Sequence, residues 1–348
     1  MSFKFRSACL KCSLVLIFMQ FFQLATAQNQ PDFSGAEALL EQHKKALGKH
    51  PVLLVYKDGK LIYQKITGDL NTKTPVPVFE TTKWFTTAAV LKMVEEGKVR
   101  LDDPVAKYVP SFKKYMKGYI TLRHCLMNTT GIEGGQSKVG KIFQKKKFAS
   151  LEEEVDAIAA MEIGNNPDAE FYYGDLGTTI AARVLEVATK KAFDRLAQEK
   201  ITRPLKMRMT RFSADGLKSD PSTGAVSSGT DMINFLSMIL NKGMFEGVQI
   251  LSPESVEMMC SIHNNELPVK YAPFTKEGFE YGCGTWILEK DGNGKAAVVG
   301  FPGIPGAFPW VDLKKGYAAT ILTLDVNGVP DLNIFLQIMG AVSDAIEG

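Results

Sequence analysis

The sequence predicts an α/β (α+β) protein. One antiparallel sheet is assembled from both ends of the chain and flanked by helices, with a helical subdomain from the middle. Three observations lead there. Strand-like runs gather at residues 51–69 and again beyond residue 280. Stretches with helical spacing of apolar residues lie between them. A last amphipathic run closes the chain.

The first element is a hairpin. Val52-Leu53-Leu54-Val55-Tyr56 and Leu61-Ile62-Tyr63 flank Asp58-Gly59, a pair suited to the left-handed positions of a tight turn. From Thr81 a helix is predicted, with Trp84, Phe85, Ala88, Ala89, Leu91 and Val94 on one apolar face and Gly97 as its left-handed stop. A second helix is expected over 176–197, through Ile180, Val184, Leu185 and Ala188, and a third over 231–240. Strands are expected at 281–288, 296–299 and 317–324, then a closing helix at 331–346. No repeat or Pro/Ser-rich linker interrupts this order. Residues 28–348 therefore read as one domain, with a sheet lobe of about 28–80 and 276–348 and a helical lobe of about 81–275.

Residues 1–27 read as a cleaved signal peptide. Lys4, Arg6 and Lys11 precede the apolar run from Leu14 to Phe22, and Ala25-Thr26-Ala27 supplies a small-residue cleavage site. The run is short for a bilayer span, so no membrane anchor is expected. The mature chain would start at Gln28 in the periplasm or outside the cell. Cys9 and Cys12 fall in the removed segment. Cys125, Cys260 and Cys283 remain and read as buried free thiols.

Removing Lys4, Arg6 and Lys11 takes the formal net charge of +3 to zero. Nothing in that overall balance favours nucleic acid or an anionic membrane as a partner, and the basic run Lys145-Lys146-Lys147 reads as a solvated loop. His43, His50, His124 and His263 lack ligand spacing to one another, so no metal and no cofactor is expected. A G-x-S-x-G elbow and a phosphate-binding glycine loop are both missing from the sequence.

The most distinctive segment is Pro77-Val78-Phe79-Glu80-Thr81-Thr82-Lys83-Trp84. It is followed in register by Val94-Glu95-Glu96-Gly97-Lys98 and Leu101-Asp102-Asp103-Pro104-Val105. Ile120-Thr121-Leu122-Arg123-His124, Asn128-Thr129-Thr130-Gly131-Ile132, Phe171-Tyr172-Tyr173-Gly174-Asp175 and Gly300-Phe301-Pro302-Gly303 extend the pattern. These segments resemble the serine β-lactamase and penicillin-binding-protein family, the class C β-lactamase-related hydrolases. The resemblance implies a two-lobed fold with its active site in the cleft between lobes.

In that family an S-x-x-K pair opens the helix, because a spacing of three puts both side chains on one face. Here Lys83 keeps the lysine position and Glu80 occupies that of the nucleophilic serine. Tyr173 matches the family's tyrosine base, and Asp175 stands where relatives carry a substrate-binding amide. Phe301 replaces a polar residue of the substrate strand. Gly303 permits close backbone approach, and the Ile304 amide would supply half of an oxyanion hole.

The catalytic positions are thus Glu80, Lys83 and Tyr173, and the substrate-binding positions Asp175, Phe301, Gly303 and Ile304. The expected function is a degenerate hydrolase that holds a small molecule or cell-wall peptide in the old cleft, with Glu80 tied to Lys83. The alternative is a weak esterase, D-alanyl peptidase or β-lactamase in which Glu80 is free for chemistry.

Overall fold

The computed structural model describes residues 31–348 apart from 49, 135–147, 214–217, 264–265, 275, 304, 325 and 327. The cleavage site, the basic run at 145–147 and Ile304 lie outside the described residues.

A seven-stranded sheet forms the frame. Its strand order is Lys60–Ile66, Val52–Lys57, Tyr317–Leu322, Ala307–Asp312, Ala296–Gly300, Trp286–Lys290 and Glu280–Tyr281, every pair antiparallel. The two ends of the chain meet as its second and third strands, with Val52 opposite Leu322 and Lys57 opposite Tyr317. The hairpin turns where expected: Asp58 has φ 49° and Gly59 φ 79°, the left-handed pair a two-residue loop requires.

One predicted strand divides, and one strand was not predicted. The run at 281–288 divides into Glu280–Tyr281 and Trp286–Lys290. Gly284, at φ 67°, makes the break, and a Cβ there would stand 1.9 Å from Thr87 Oγ1 on the central helix. Ala307–Asp312 is a strand that sequence patterning misses, because Pro309 argues against a central strand. Its missing N–H leaves a one-bond gap in a pairing that continues to Gly303 and Ala307: its carbonyl still accepts from the Phe301 N–H at 3.1 Å, and the Phe301 carbonyl opposite accepts from Thr81 Oγ1 instead.

The helix Thr82–Glu95 runs through the core. Thr82 to Leu91 are all buried, so it has no solvent face there; the single apolar face expected from sequence is corrected. Trp84 and Phe85 pack edge-on to Phe235 at 5.4 and 4.8 Å. Gly97, at φ 66°, ends the helix, with Lys98 N–H donating to Met93 O at 2.9 Å. The helix expected over 176–197 is two, Leu176–Thr189 and Phe193–Ala197, parted by Lys190 in the left-handed conformation. Gly229–Leu240 packs on the central strands, and Phe335 of the closing helix Leu332–Glu347 stacks on Phe308 at 5.4 Å. Among the described residues no helix is long and apolar enough to cross a membrane. Cys125, Cys260 and Cys283 are free and buried, and burial pushes the Cys260 and Cys283 thiols up to about 12.

Candidate active site

The segment entering the central helix is pinned on both sides. Val76–Pro77 pairs with Val226–Ser227. Val78 N–H then donates to Ala225 O at 2.9 Å, and Ala225 N–H donates to Thr82 Oγ1 at 3.0 Å. Between these anchors the chain makes a tight 3-10 turn, Phe79–Thr81, before the α-helix begins at Thr82. Phe79 has φ 42°, an unfavourable conformation for a bulky residue. It delivers Glu80 to the mouth of the site.

Glu80 and Lys83 face each other, as their spacing requires. The Lys83 side chain has no exposed surface, and its ammonium is held by Glu80 Oε2 and, at 2.7 Å, by Asp175 Oδ1. The Tyr173 hydroxyl donates to the same Glu80 oxygen at 2.6 Å. The Tyr173 ring centroid lies 5.3 Å from Lys83 Nζ. Glu80 and Asp175 keep 33% and 42% of their side-chain surface exposed. The ammonium is thus buried while both of its carboxylate partners keep contact with solvent.

Tyr173 is fixed from behind. Its N–H donates to Tyr271 O at 2.9 Å, and its ring packs on Tyr281 and Trp286 at 5.8 and 5.1 Å. The next N–H, of Gly174, donates to Asn128 Oδ1 at 3.2 Å. Asp175 precedes the helix Leu176–Thr189. Its carbonyl accepts from Ser222 Oγ at 2.8 Å, Thr179 Oγ1 at 3.0 Å and Thr178 Oγ1 at 3.1 Å, which holds the backbone while the carboxylate meets Lys83.

These contacts set protonation. Burial works against the Lys83 charge, but Asp175 and then Glu80 outweigh it and hold the pKa above the ordinary lysine value. Burial, followed by the Glu80 charge, raises Tyr173 well above the ordinary tyrosine value. At neutral pH the site therefore holds an ammonium and a neutral phenol.

The structure brings Glu80, Lys83, Tyr173 and Asp175 together. Phe301 does not join them as the sequence reading had it. It has no exposed surface, so its ring belongs to the core, and its carbonyl accepts from Thr81 Oγ1 at 3.3 Å. Gly303 does serve close approach, to the chain's own turn: a Cβ there would stand 2.4 Å from Thr81 Oγ1 and 2.6 Å from Val78 O. Ile304 lies outside the described residues. No group of three or more His, Cys, Asp or Glu side chains able to hold a metal occurs among the described residues.

Asn128 and Ser222 were not singled out from sequence, yet they position the Tyr173–Asp175 segment. Asn128 carried a readable signal. An asparagine directly after a helical stretch suits the left-handed cap, and its φ is 57° at the end of Leu122–Met127. Ser222 carried none, because its role depends on a contact 47 residues away in sequence.

Comparison with known proteins follows the same geometry. The crystal structure of a "putative beta-lactamase" from Bacteroides dorei DSM 17855 superposes with a TM-score of 0.81 at 26% identity, covering 91% of this chain and 99% of that one. The octameric penicillin-binding protein homologue from Pyrococcus abyssi shares the fold, with a TM-score of 0.74 at 20% identity, over 90% of this chain and 78% of that one. In sequence, Protein flp of Staphylococcus aureus (strain MW2) is 29% identical over 178 residues, 48% of this chain and 35% of that protein. A "Putative D-alanyl-D-alanine carboxypeptidase" of Salmonella agona (strain SL483) is 28% identical over 188 residues, 46% of this chain and 43% of that protein. The matched regions thus span well under two thirds of these curated relatives. The beta-lactamase family model matches residues 39–334, most of the chain, and this protein belongs to the beta-lactamase family.

Proposed function

We propose that this protein is a non-catalytic member of its family, exported from the cytoplasm, that uses the former catalytic cleft to bind a ligand. One observation carries the reading. A single carboxylate oxygen, Glu80 Oε2, meets both the Lys83 ammonium and the Tyr173 hydroxyl. The atom standing at the nucleophile position is thereby occupied by the two groups that would have to activate it. The similarity to a protein named as a D-alanyl-D-alanine carboxypeptidase makes a cell-wall peptide the first ligand to try.

The test is turnover of nitrophenyl esters by the purified mature chain and its Glu80→Gln variant. No turnover above background by either protein is the expected outcome. Hydrolysis by the parent that Glu80→Gln abolishes would make Glu80 a working catalytic group. The protein would then be a weak hydrolase acting through Lys83, Tyr173 and a water.

A further inference from the structure

A second feature lies at residues 111–119, Ser-Phe-Lys-Lys-Tyr-Met-Lys-Gly-Tyr, which hold three lysines and no acid. The short helix Ser111–Lys114 ends in a left-handed cap: Met116 N–H donates to Lys113 O at 3.1 Å and Lys117 N–H to Phe112 O at 2.7 Å. The left-handed residue is Met116, at φ 60°. Glycine is favoured at that position, because a Cβ is strained there. The side chain that bears this strain gains no packing in return. Met116 is 83% exposed, the most exposed large apolar residue among those described, and Tyr115 and Tyr119 beside it are 39% and 48% exposed.

Charge surrounds this apolar tip. Lys113 and Lys114 are exposed, and the Lys114 ammonium stands 5.2 Å over the Tyr115 ring. Lys117 turns inward, donating to Ala159 O at 2.8 Å, and its Nζ lies 5.8 Å from the same ring. Glu152 and Asp156 border the cavity next to Lys114; Arg183 holds Glu152 at 2.7 Å. Lys113 and Lys114 are thus the exposed cations of the tip, with Lys114 bordering these two acids and Arg183.

We propose that residues 113–119 form a peripheral docking tip for an anionic lipid surface. Met116 enters the acyl boundary, Tyr115 and Tyr119 lie at the headgroup level, and Lys113 and Lys114 meet lipid phosphates. An unbranched thioether, amphipathic tyrosines and long lysine stems are the side chains such an interface accommodates. A protein partner would call for a shaped, mostly uncharged patch, whereas a strained apolar point ringed by lysines suits a fluid anionic surface. This is reversible contact, distinct from a membrane anchor, and it is independent of the cleft.

The experiment is flotation of the mature chain with vesicles of equal parts phosphatidylglycerol and phosphatidylcholine, against phosphatidylcholine alone. Binding to the anionic vesicles that high salt weakens is expected. Met116→Gly should weaken it about tenfold while leaving the melting temperature equal or higher, because the strain is relieved. Lys113→Gln and Lys114→Gln should each weaken it about fivefold. Failure to float with anionic vesicles would overturn the proposal. So would flotation untouched by Met116→Gly, or a change of oligomeric state by light scattering in that variant, which would assign the tip to a second copy of the chain.

Discussion

The Tyr173 hydroxyl donates a 2.6 Å hydrogen bond to Glu80 Oε2, joining residues 93 positions apart at one carboxylate oxygen. Lys83 meets the same oxygen and is held in turn by Asp175. On the non-catalytic reading proposed above, the four groups form one mutually satisfied set with no free base for a hydroxyl. That has consequences for stability as well as reactivity.

Glu80→Ala leaves the Tyr173 hydroxyl without its acceptor and Lys83, still fully buried, with Asp175 as its remaining carboxylate. A loss of about 2 kcal/mol is expected, the scale of leaving a buried donor unsatisfied. Because Glu80 is one-third exposed, water replaces part of what is lost. Glu80→Gln keeps an acceptor for Tyr173 and should lose about half as much. Urea unfolding of the three proteins checks the order.

Alkaline pH should weaken the folded state. Lys83 and Tyr173 both have folded pKa values above their unfolded ones, near 10.5 and 10.0. The folded chain then holds these protons more tightly than the unfolded chain, and stability falls as pH rises between the two values. Their contribution is whole below about pH 10 and declines above it. A Glu80→Gln/Asp175→Asn variant removes the charges that raise Lys83 and that add to the effect of burial on Tyr173. Its stability should fall less steeply than the parent's between roughly pH 9 and pH 11 in urea titrations. Equal slopes would show that the carboxylates do not govern these protons.

Gly303→Ala tests the packing of the turn. The new methyl would meet Thr81 Oγ1 and Val78 O within 2.6 Å, and a backbone oxygen cannot swing aside. A loss of about 1–3 kcal/mol is expected, as for other overpacked sites. Gly59→Ala, with open space around its Cβ but φ at 79°, should lose about 1 kcal/mol through backbone strain alone. Thermal unfolding of both variants separates clash from strain.

Export predicts a mature N-terminus at or near Gln28, from the Ala25-Thr26-Ala27 site. Mass spectrometry of secreted or periplasmic material reads this directly. An intact Met1 on folded cytoplasmic protein would remove the export reading.

Much of the frame was legible because it rests on local chemistry. Asp58-Gly59 fixed the hairpin, Gly97 the end of the central helix, and the spacing of Glu80 and Lys83 their shared face. What patterning missed is tertiary. The burial of Thr82, Thr86 and Thr87 on every side comes from neighbouring elements, and polar threonines give no sign of it. The strand Ala307–Asp312 hides behind Pro309, whose missing N–H costs a single ladder bond because Thr81 Oγ1 donates to the Phe301 carbonyl in its place. Phe301 sits in the matching segment, but its ring turns to the core, and a motif alone does not say which way a side chain points. The double use of Glu80 Oε2 needed coordinates. Spacing placed Lys83 beside it, and only the fold brought Tyr173 and Asp175.

Covalent labelling of the parent and of Glu80→Ser bears most directly on the central claim that the carboxylate at position 80 silences this site. Each protein is treated with a fluorophosphonate and with a fluorescent penicillin, then weighed intact. The account predicts no adduct on the parent and an adduct at residue 80 in Glu80→Ser, where a hydroxyl stands beside Lys83 and Tyr173 with one carboxylate fewer. Turnover of that variant should stay low, because the core-facing Phe301 supplies no polar contact to substrate; such a loss is worth about a hundredfold in rate. An adduct on the parent, or two proteins that both remain unlabelled though folded, would contradict it.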